Sequence, residues 1–116
     1  MGEAKLTGGC NCGAVRFELS EPPTEALYCH CRRCQRRSGA AAAPTALVPR
    51  ANLRLLGEAP SLRVWQPEDG RGKWFCGDCG SALFAGDPRR DDPVGVRLGA
   101  FDDDPGMRPG RRIFTA

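Results

Sequence analysis

The stretch Phe75-Cys76-Gly77-Asp78-Cys79-Gly80-Ser81 decides how the rest of the chain is read. Its cysteines form a C-x-x-C pair with one glycine inside it and another directly after it. That composition suits a knuckle in which backbone N–H groups turn toward two thiolates, because glycine tolerates the dihedrals the turn needs. Such a knuckle is half of a tetrahedral site, and structural zinc commonly takes four cysteines. The other half is expected at Cys10-Asn11-Cys12, where Gly8, Gly9 and Gly13 free the backbone to aim both sulfurs at one ion. Tying Cys12 to Cys76 through a metal closes a long loop, which stabilises a small core.

Between these halves lies Cys29-His30-Cys31-Arg32-Arg33-Cys34, which brings the cysteine count to seven. An odd count does not suit a secreted disulfide framework, and clusters of two, three and two do not suit core packing. With four cysteines in one site, three remain, and three protein ligands with an open position is the pattern of a catalytic zinc. The other partition, in which the middle cluster takes a fourth ligand from elsewhere, leaves one glycine-flanked cysteine unused. A thioredoxin-like redox role for Cys76 and Cys79 lacks the βαβ context it requires. Neighbouring side chains diverge on extended backbone, so His30 is expected to point away from the metal held by Cys29 and Cys31.

The body around these clusters reads as mainly β. A length of 116 residues suits one domain, and fifteen glycines with ten prolines leave little room for long helices. Val15, Phe17 and Leu19 alternate with Arg16 and Glu18, the period of a strand buried on one face. Similar short signals recur at Leu53 and Leu55, at Leu62 and Val64, and at Val94, Val96 and Leu98. A short helix is predicted over Arg32 to Ser38, ended by Gly39 as a left-handed cap. Trp65, Trp74 and Tyr28 read as core or site-wall residues. Asp91-Asp92 and Asp102-Asp103-Asp104 read as turns in which aspartate bonds its own backbone.

Several classes are set aside. No run approaches the ~18 apolar residues of a membrane span, and the first residues lack the apolar core of a secretory signal. Gly2 fails the myristoylation pattern, which wants Ser or Thr where Leu6 stands. The expected compartment is the cytosol. A net charge of +3 and a pI near 8.6 fall short of a dedicated nucleic-acid footprint. Even that excess is formal: if all seven cysteines bind as thiolates to two zinc ions, the sum becomes zero.

Taken in order, Gly8-Gly9-Cys10-Asn11-Cys12-Gly13-Ala14-Val15-Arg16-Phe17, the middle cluster, Ser38-Gly39-Ala40 and the Cys76 knuckle resemble the glutathione-dependent formaldehyde-activating enzyme family. That family also contains centromere-protein-V-like proteins. The resemblance runs from about Gly8 through Leu98-Gly99-Ala100-Phe101-Asp102-Asp103 to Ile113-Phe114. It implies an Mss4-like fold of small antiparallel sheets with a zinc knuckle, over a single domain 1–116. It further implies two zinc ions per chain: a structural one at Cys10, Cys12, Cys76 and Cys79, and a catalytic one at Cys29, Cys31 and Cys34. Family members usually continue past the segment matching Arg112 to Ala116 into a tail with a tryptophan, which this sequence lacks.

The implied activity is that of a carbon–sulfur lyase similar to S-(hydroxymethyl)glutathione synthase, joining a glutathione-like thiol to a small aldehyde such as formaldehyde. Three thiolates weaken the ability of zinc to acidify water, so a soft site suits a fourth thiolate better than water activation. Arg32, Arg33, Arg36 and Arg37 stand beside the open cluster. Two readings hold for them: a grip on substrate carboxylates, or a solvated basic face. The competing function is a non-enzymatic zinc module for nucleic acid or protein.

Overall fold

The computed structural model describes residues 6–23 and 25–113. Gly2 and the segment from Phe114 to Ala116, on which the sequence raised questions, lie outside the described residues. The alternating stretch forms β2 (Arg16–Leu19), with Val15, Phe17 and Leu19 withdrawn from solvent and Arg16 and Glu18 partly exposed. Its antiparallel neighbours are β1 (Leu6–Gly9) and β5 (Leu53–Leu56), giving a three-stranded sheet in the order β1-β2-β5.

A second sheet contains β3 (Glu25–Cys29), β4 (Ala43–Val48), β6 (Leu62–Trp65), β7 (Lys73–Cys76), β8 (Ala82–Ala85), β9 (Val94–Arg97) and β10 (Arg111–Ile113). Its order is β10-β3-β4-β9-β8-β7-β6, and every pairing is antiparallel except β10 with β3. The expectation of a mainly β fold of small sheets holds, with this one parallel pair added. The helix α1 (Arg32–Ser38) forms where it was predicted, between β3 and β4. Gly39 closes it at φ 72° and donates its N–H to the Gln35 carbonyl, a conformation that costs glycine no Cβ clash.

Phe17 joins the two sheets. Its ring meets Phe84 of β8 edge-on at 5.4 Å and Phe101 at 5.8 Å, among the fully buried Leu19, Val48, Leu83 and Val96. Gly8, paired with Phe17 across β1 and β2, must lack a side chain, since a Cβ there would lie 2.5 Å from the Phe17 ring and closer still to the Ala100 carbonyl. A smaller apolar cluster of Leu27, Cys29, Cys34 and Ala43 packs beneath α1.

Some expectations need correction. β6 is the outer strand of its sheet, so Val64 and Trp65 are 41% and 45% exposed, and Trp65 is neither core nor wall. Trp74 packs partly buried against the core, and Tyr28 lies under the Arg112 guanidinium at 4.7 Å. Leu98 leaves the β9 alternation and begins a one-turn helix, Leu98–Ala100. Among the turn aspartates, Asp104 does accept the nearby Gly106 N–H at 2.9 Å. Asp102 instead clips distant segments together, taking both guanidinium N–H groups of Arg16 and the Thr7 hydroxyl. Those partners hold its carboxyl at about 2, below the usual range.

Replacing Phe17 with alanine removes the ring that joins the sheets and should cost about 3–5 kcal/mol. Val64→Ala, on the exposed edge, should stay within about 0.5 kcal/mol of the parent. Denaturant unfolding at a fixed metal concentration checks both; equal losses would contradict this account of the core.

Candidate metal centres

Two short segments far apart in sequence carry the first cysteine group. Cys10 follows β1 directly and Cys12 sits in the turn after it, while Cys76 ends β7 and Cys79 lies in the turn toward β8. Their four Sγ atoms lie within 4.8 Å of one another. Cys10 and Cys12 stand 3.6 Å apart and Cys12 and Cys76 3.8 Å, far beyond the ~2.05 Å of a disulfide. Sulfurs held ~2.3 Å from a tetrahedral zinc are separated by ~3.8 Å, so the donor set fits one such ion.

Backbone groups prepare this arrangement. The Val15 N–H donates to Cys10 Sγ at 3.3 Å, and the Gly80 N–H closes the knuckle on the Cys76 carbonyl at 2.8 Å. Across the two halves, the Asn11 N–H donates to Ser81 Oγ at 3.0 Å, and that hydroxyl also lies 3.3 Å from Cys79 Sγ. The Ser81 hydroxyl and its backbone N–H pull the Cys79 thiol down to about 5. For Cys12 the Ala14 N–H works toward the thiolate, but the neighbouring sulfurs, Cys10 first, outweigh it and push the thiol up to about 12.

The second group sits where β3 hands over to α1. Cys29 ends the strand, Cys31 is the residue before the helix, and Cys34 lies on its first turn. Their Sγ atoms also fall within 4.8 Å, with Cys29 and Cys31 at 3.5 Å, and among the described residues no further His, Cys, Asp or Glu joins them. Cys31 doubles as the helix cap, its sulfur accepting the Cys34 N–H at 3.3 Å. Burial drives the Cys29 thiol up to about 12. Burial also acts on Cys31, yet the Cys34 N–H, the adjacent thiols and the charge of Lys73 prevail and lower it.

These three thiols face a cavity of about 650 Å³ with an apolar wall that includes Leu27, Leu47 and Ile113. Five cations stand around it: Arg32, Arg33, Arg71, Lys73 and Arg97. Arg33 is held by Asp69, through the carboxylate at 2.5 Å and the backbone carbonyl at 2.8 Å. Arg71 donates to the Pro93 carbonyl. Arg97 donates to Thr45 Oγ1 at 2.6 Å and to Cys34 Sγ at 3.8 Å. For Arg32 and Lys73 the described residues offer no hydrogen bond or ion pair.

Of the four arginines singled out in the sequence, only Arg32 and Arg33 reach this cavity. Arg37 lies over the Phe75 ring at 4.6 Å, and Arg36 is exposed elsewhere. His30 points away from the thiols, as expected, and its Nε2 meets Arg112 at 2.8 Å. Lys73, Arg97 and Thr45 were missed because strand register brings them here. The available signal was phase: Arg97 alternates with the buried Val94 and Val96, and therefore faces the opposite side of β9.

The fold and site define a small β protein with one four-sulfur corner and one three-sulfur group open to a cationic cavity, each of which could hold a metal ion through cysteine. Its sequence matches, over residues 5–116, the family described as glutathione-dependent formaldehyde-activating enzyme, and the chain belongs to that family. A Halomonas elongata protein named for the same family is 33% identical over 114 residues, covering 93% of this chain and 72% of the relative. A crystal structure of a Rhodobacter sphaeroides protein superposes with a TM-score of 0.68 at 28% identity, covering 89% of this chain and 97% of that one. Among the described residues no helix is long and apolar enough to cross a membrane.

The two exposed thiols of the first group should differ in the metal-free chain. Cys79, a thiolate above about pH 5, should alkylate with iodoacetamide at a rate already level by pH 7, whereas Cys12 should react slowly there. Ser81→Ala should move the Cys79 midpoint upward. Peptide mass spectrometry reads both, and equal rates for the two thiols would contradict the assignment.

Proposed function

We propose that the chain binds two zinc ions and acts as a carbon–sulfur lyase on the adduct of a glutathione-like thiol and a small aldehyde such as formaldehyde. Cys10, Cys12, Cys76 and Cys79 hold the structural ion, and Cys29, Cys31 and Cys34 hold the catalytic one. One observation carries this: three thiols without a fourth protein donor among the described residues face a cavity lined by five cations. Zinc bound there supplies a soft Lewis acid with room for one more sulfur.

In the forward direction the substrate sulfur forms a bond to the aldehyde carbon and the carbonyl π bond opens. The proton lost from sulfur ends on the new hydroxyl oxygen, so an S-(hydroxymethyl) thiol results with no other reactant. The protein's own contribution is positioning and charge. Arg32 and Lys73, which make no hydrogen bond or ion pair with a carboxylate among the described residues, anchor carboxylates of an acidic thiol, while the apolar wall of Leu27, Leu47 and Ile113 displaces water around its chain. Arg33 stays committed to Asp69 and shapes the rim.

The competing role as a nucleic-acid module draws little support from the arginines. Arg33 is engaged by Asp69, Arg37 by Phe75, and Arg32, though exposed, lines the cavity, which breaks the basic run of α1 into separate tasks. A chain with seven unpaired thiols accords with a reducing compartment such as the cytosol.

Exchange NMR with glutathione and ¹³C-formaldehyde tests the proposal. The zinc-loaded protein should accelerate adduct exchange above the spontaneous rate, and Cys31→Ser, which retains a helix-capping oxygen, should abolish the acceleration while remaining folded. Esterifying the glutathione carboxylates should raise KM about tenfold or more, since a charge-assisted contact is worth about 1.5–3 kcal/mol. No acceleration by the parent protein would remove this substrate pair.

A further inference from the structure

The residue with the most unusual setting beside the cavity is Arg97. It lies directly opposite Thr45 in the β4–β9 register, and Thr45, at 4% exposure, is the buried polar side chain of the core among the described residues. A hydroxyl withdrawn from water is costly unless it is bonded. Here it donates to the Ala43 carbonyl at 3.3 Å, which leaves its lone pairs for the Arg97 N–H at 2.6 Å. The other arm of the same guanidinium reaches Cys34 Sγ at 3.8 Å. Space for the threonine is provided from β9 itself: a Cβ on Gly95 would lie 2.9 Å from the Thr45 methyl. Three elements of the wall, β4, β9 and α1, are therefore arranged around one fork.

Charge gives this fork a task. Three thiolates around a divalent ion carry a net charge of about −1, and a fourth thiolate from substrate makes it about −2 in a half-enclosed site, where uncompensated charge is expensive. Arginine keeps its proton at any relevant pH and places its donors in a fixed plane. Arg37, one turn beyond Cys34 on α1, is half-buried with its Nε unpartnered among the described residues, and burial and the nearby Arg97 both disfavour its charge. The anion within reach of Arg97 is the Cys34 thiolate of the three-cysteine group, whose Sγ its guanidinium meets.

We propose that Arg97, seated on Thr45, is the positioning residue of the three-thiol group: it orients Cys34 and supplies the positive charge that lets the group hold a metal and then accept a further thiolate. This rests on the open-site function proposed above. Arg97 acts through Cys34 rather than on the reacting atoms, so its effect is separable from recognition of substrate carboxylates by Arg32 and Lys73.

Cobalt(II) titration of the metal-free chain, followed by thiolate-to-metal charge-transfer absorption, tests the role without any turnover; Cys31→Ser identifies the signal of the three-thiol group. Arg97→Gln should weaken cobalt at that group about 10–100-fold, the range for removing a partner of a metal ligand, and leave the four-thiol group unchanged. Arg97→Lys, which restores charge without the fork, should recover part of the loss. Thr45→Val, close in shape, should shift affinity the same way by a smaller factor, and it carries the test if Arg97→Gln fails to fold. The cobalt-loaded parent should gain charge-transfer intensity on adding 2-mercaptoethanol, an uncharged thiol, and Arg97→Gln should need a higher concentration for the same gain. Unchanged affinity in both Arg97→Gln and Thr45→Val, or equal weakening at the two groups, would overturn the role of Arg97 alone. Absence of cobalt from the three-thiol group of the parent would overturn the open-site function as well.

Discussion

The convergence of four sulfurs from segments 64 residues apart is the constraint on which the rest of the structure depends. Cys10 and Cys12 extend from the three-stranded sheet, Cys76 and Cys79 from the β7–β8 turn of the seven-stranded one, so their meeting fixes the two sheets against each other. Phe17 fills the space thus enclosed, against Phe84 on one side and Phe101 on the other. In the four-sulfur corner, Ser81 joins the halves by hydrogen bonds. A metal held by four thiolates would contribute its binding energy to folding, because the unfolded chain offers no such site.

The same chemistry is used differently at the second group. There the supporting elements are a strand end and a two-turn helix, with Cys31 serving both as a sulfur donor and as the helix cap. A helix of seven residues is marginal alone, so the packing of Cys34 with Leu27 and Ala43 anchors it from below. The cavity stands on the remaining side. Its five cations divide into those already committed, Arg33 to Asp69, Arg71 to Pro93 and Arg97 to Thr45 and Cys34, and those with no hydrogen bond or ion pair among the described residues, Arg32 and Lys73. Geometry and charge together describe a cationic pocket beside three thiols, the setting that the proposed acidic thiol substrate requires.

Much of this was legible in the sequence where local rules decide. The alternation of Val15, Phe17 and Leu19 needed only the pleat of a strand, and Gly39 only the left-handed end of a helix. The grouping of the cysteines followed from their spacing, as did the outward turn of His30. What was hidden depends on register and sheet order. Val64 carries the same local pattern as a buried strand residue but falls on the sheet's outer strand, β6. β10 pairs in parallel with β3 across more than eighty residues, which no turn signal announces. The arginine run on α1 drew attention by composition, whereas Lys73, Thr45 and Arg97, from three different strands, reach the thiols only through the order β4-β9-β8-β7.

The central claim is that one group of four cysteines is closed on its metal and one group of three is open. Anomalous diffraction at the zinc edge from crystals of the zinc-loaded protein tests it most directly. The account predicts two peaks, one within about 2.3 Å of the Sγ atoms of Cys10, Cys12, Cys76 and Cys79, and one at the same distance from those of Cys29, Cys31 and Cys34 with no fourth protein atom bound. A single peak, or a second ion whose fourth ligand comes from the chain itself, would contradict it.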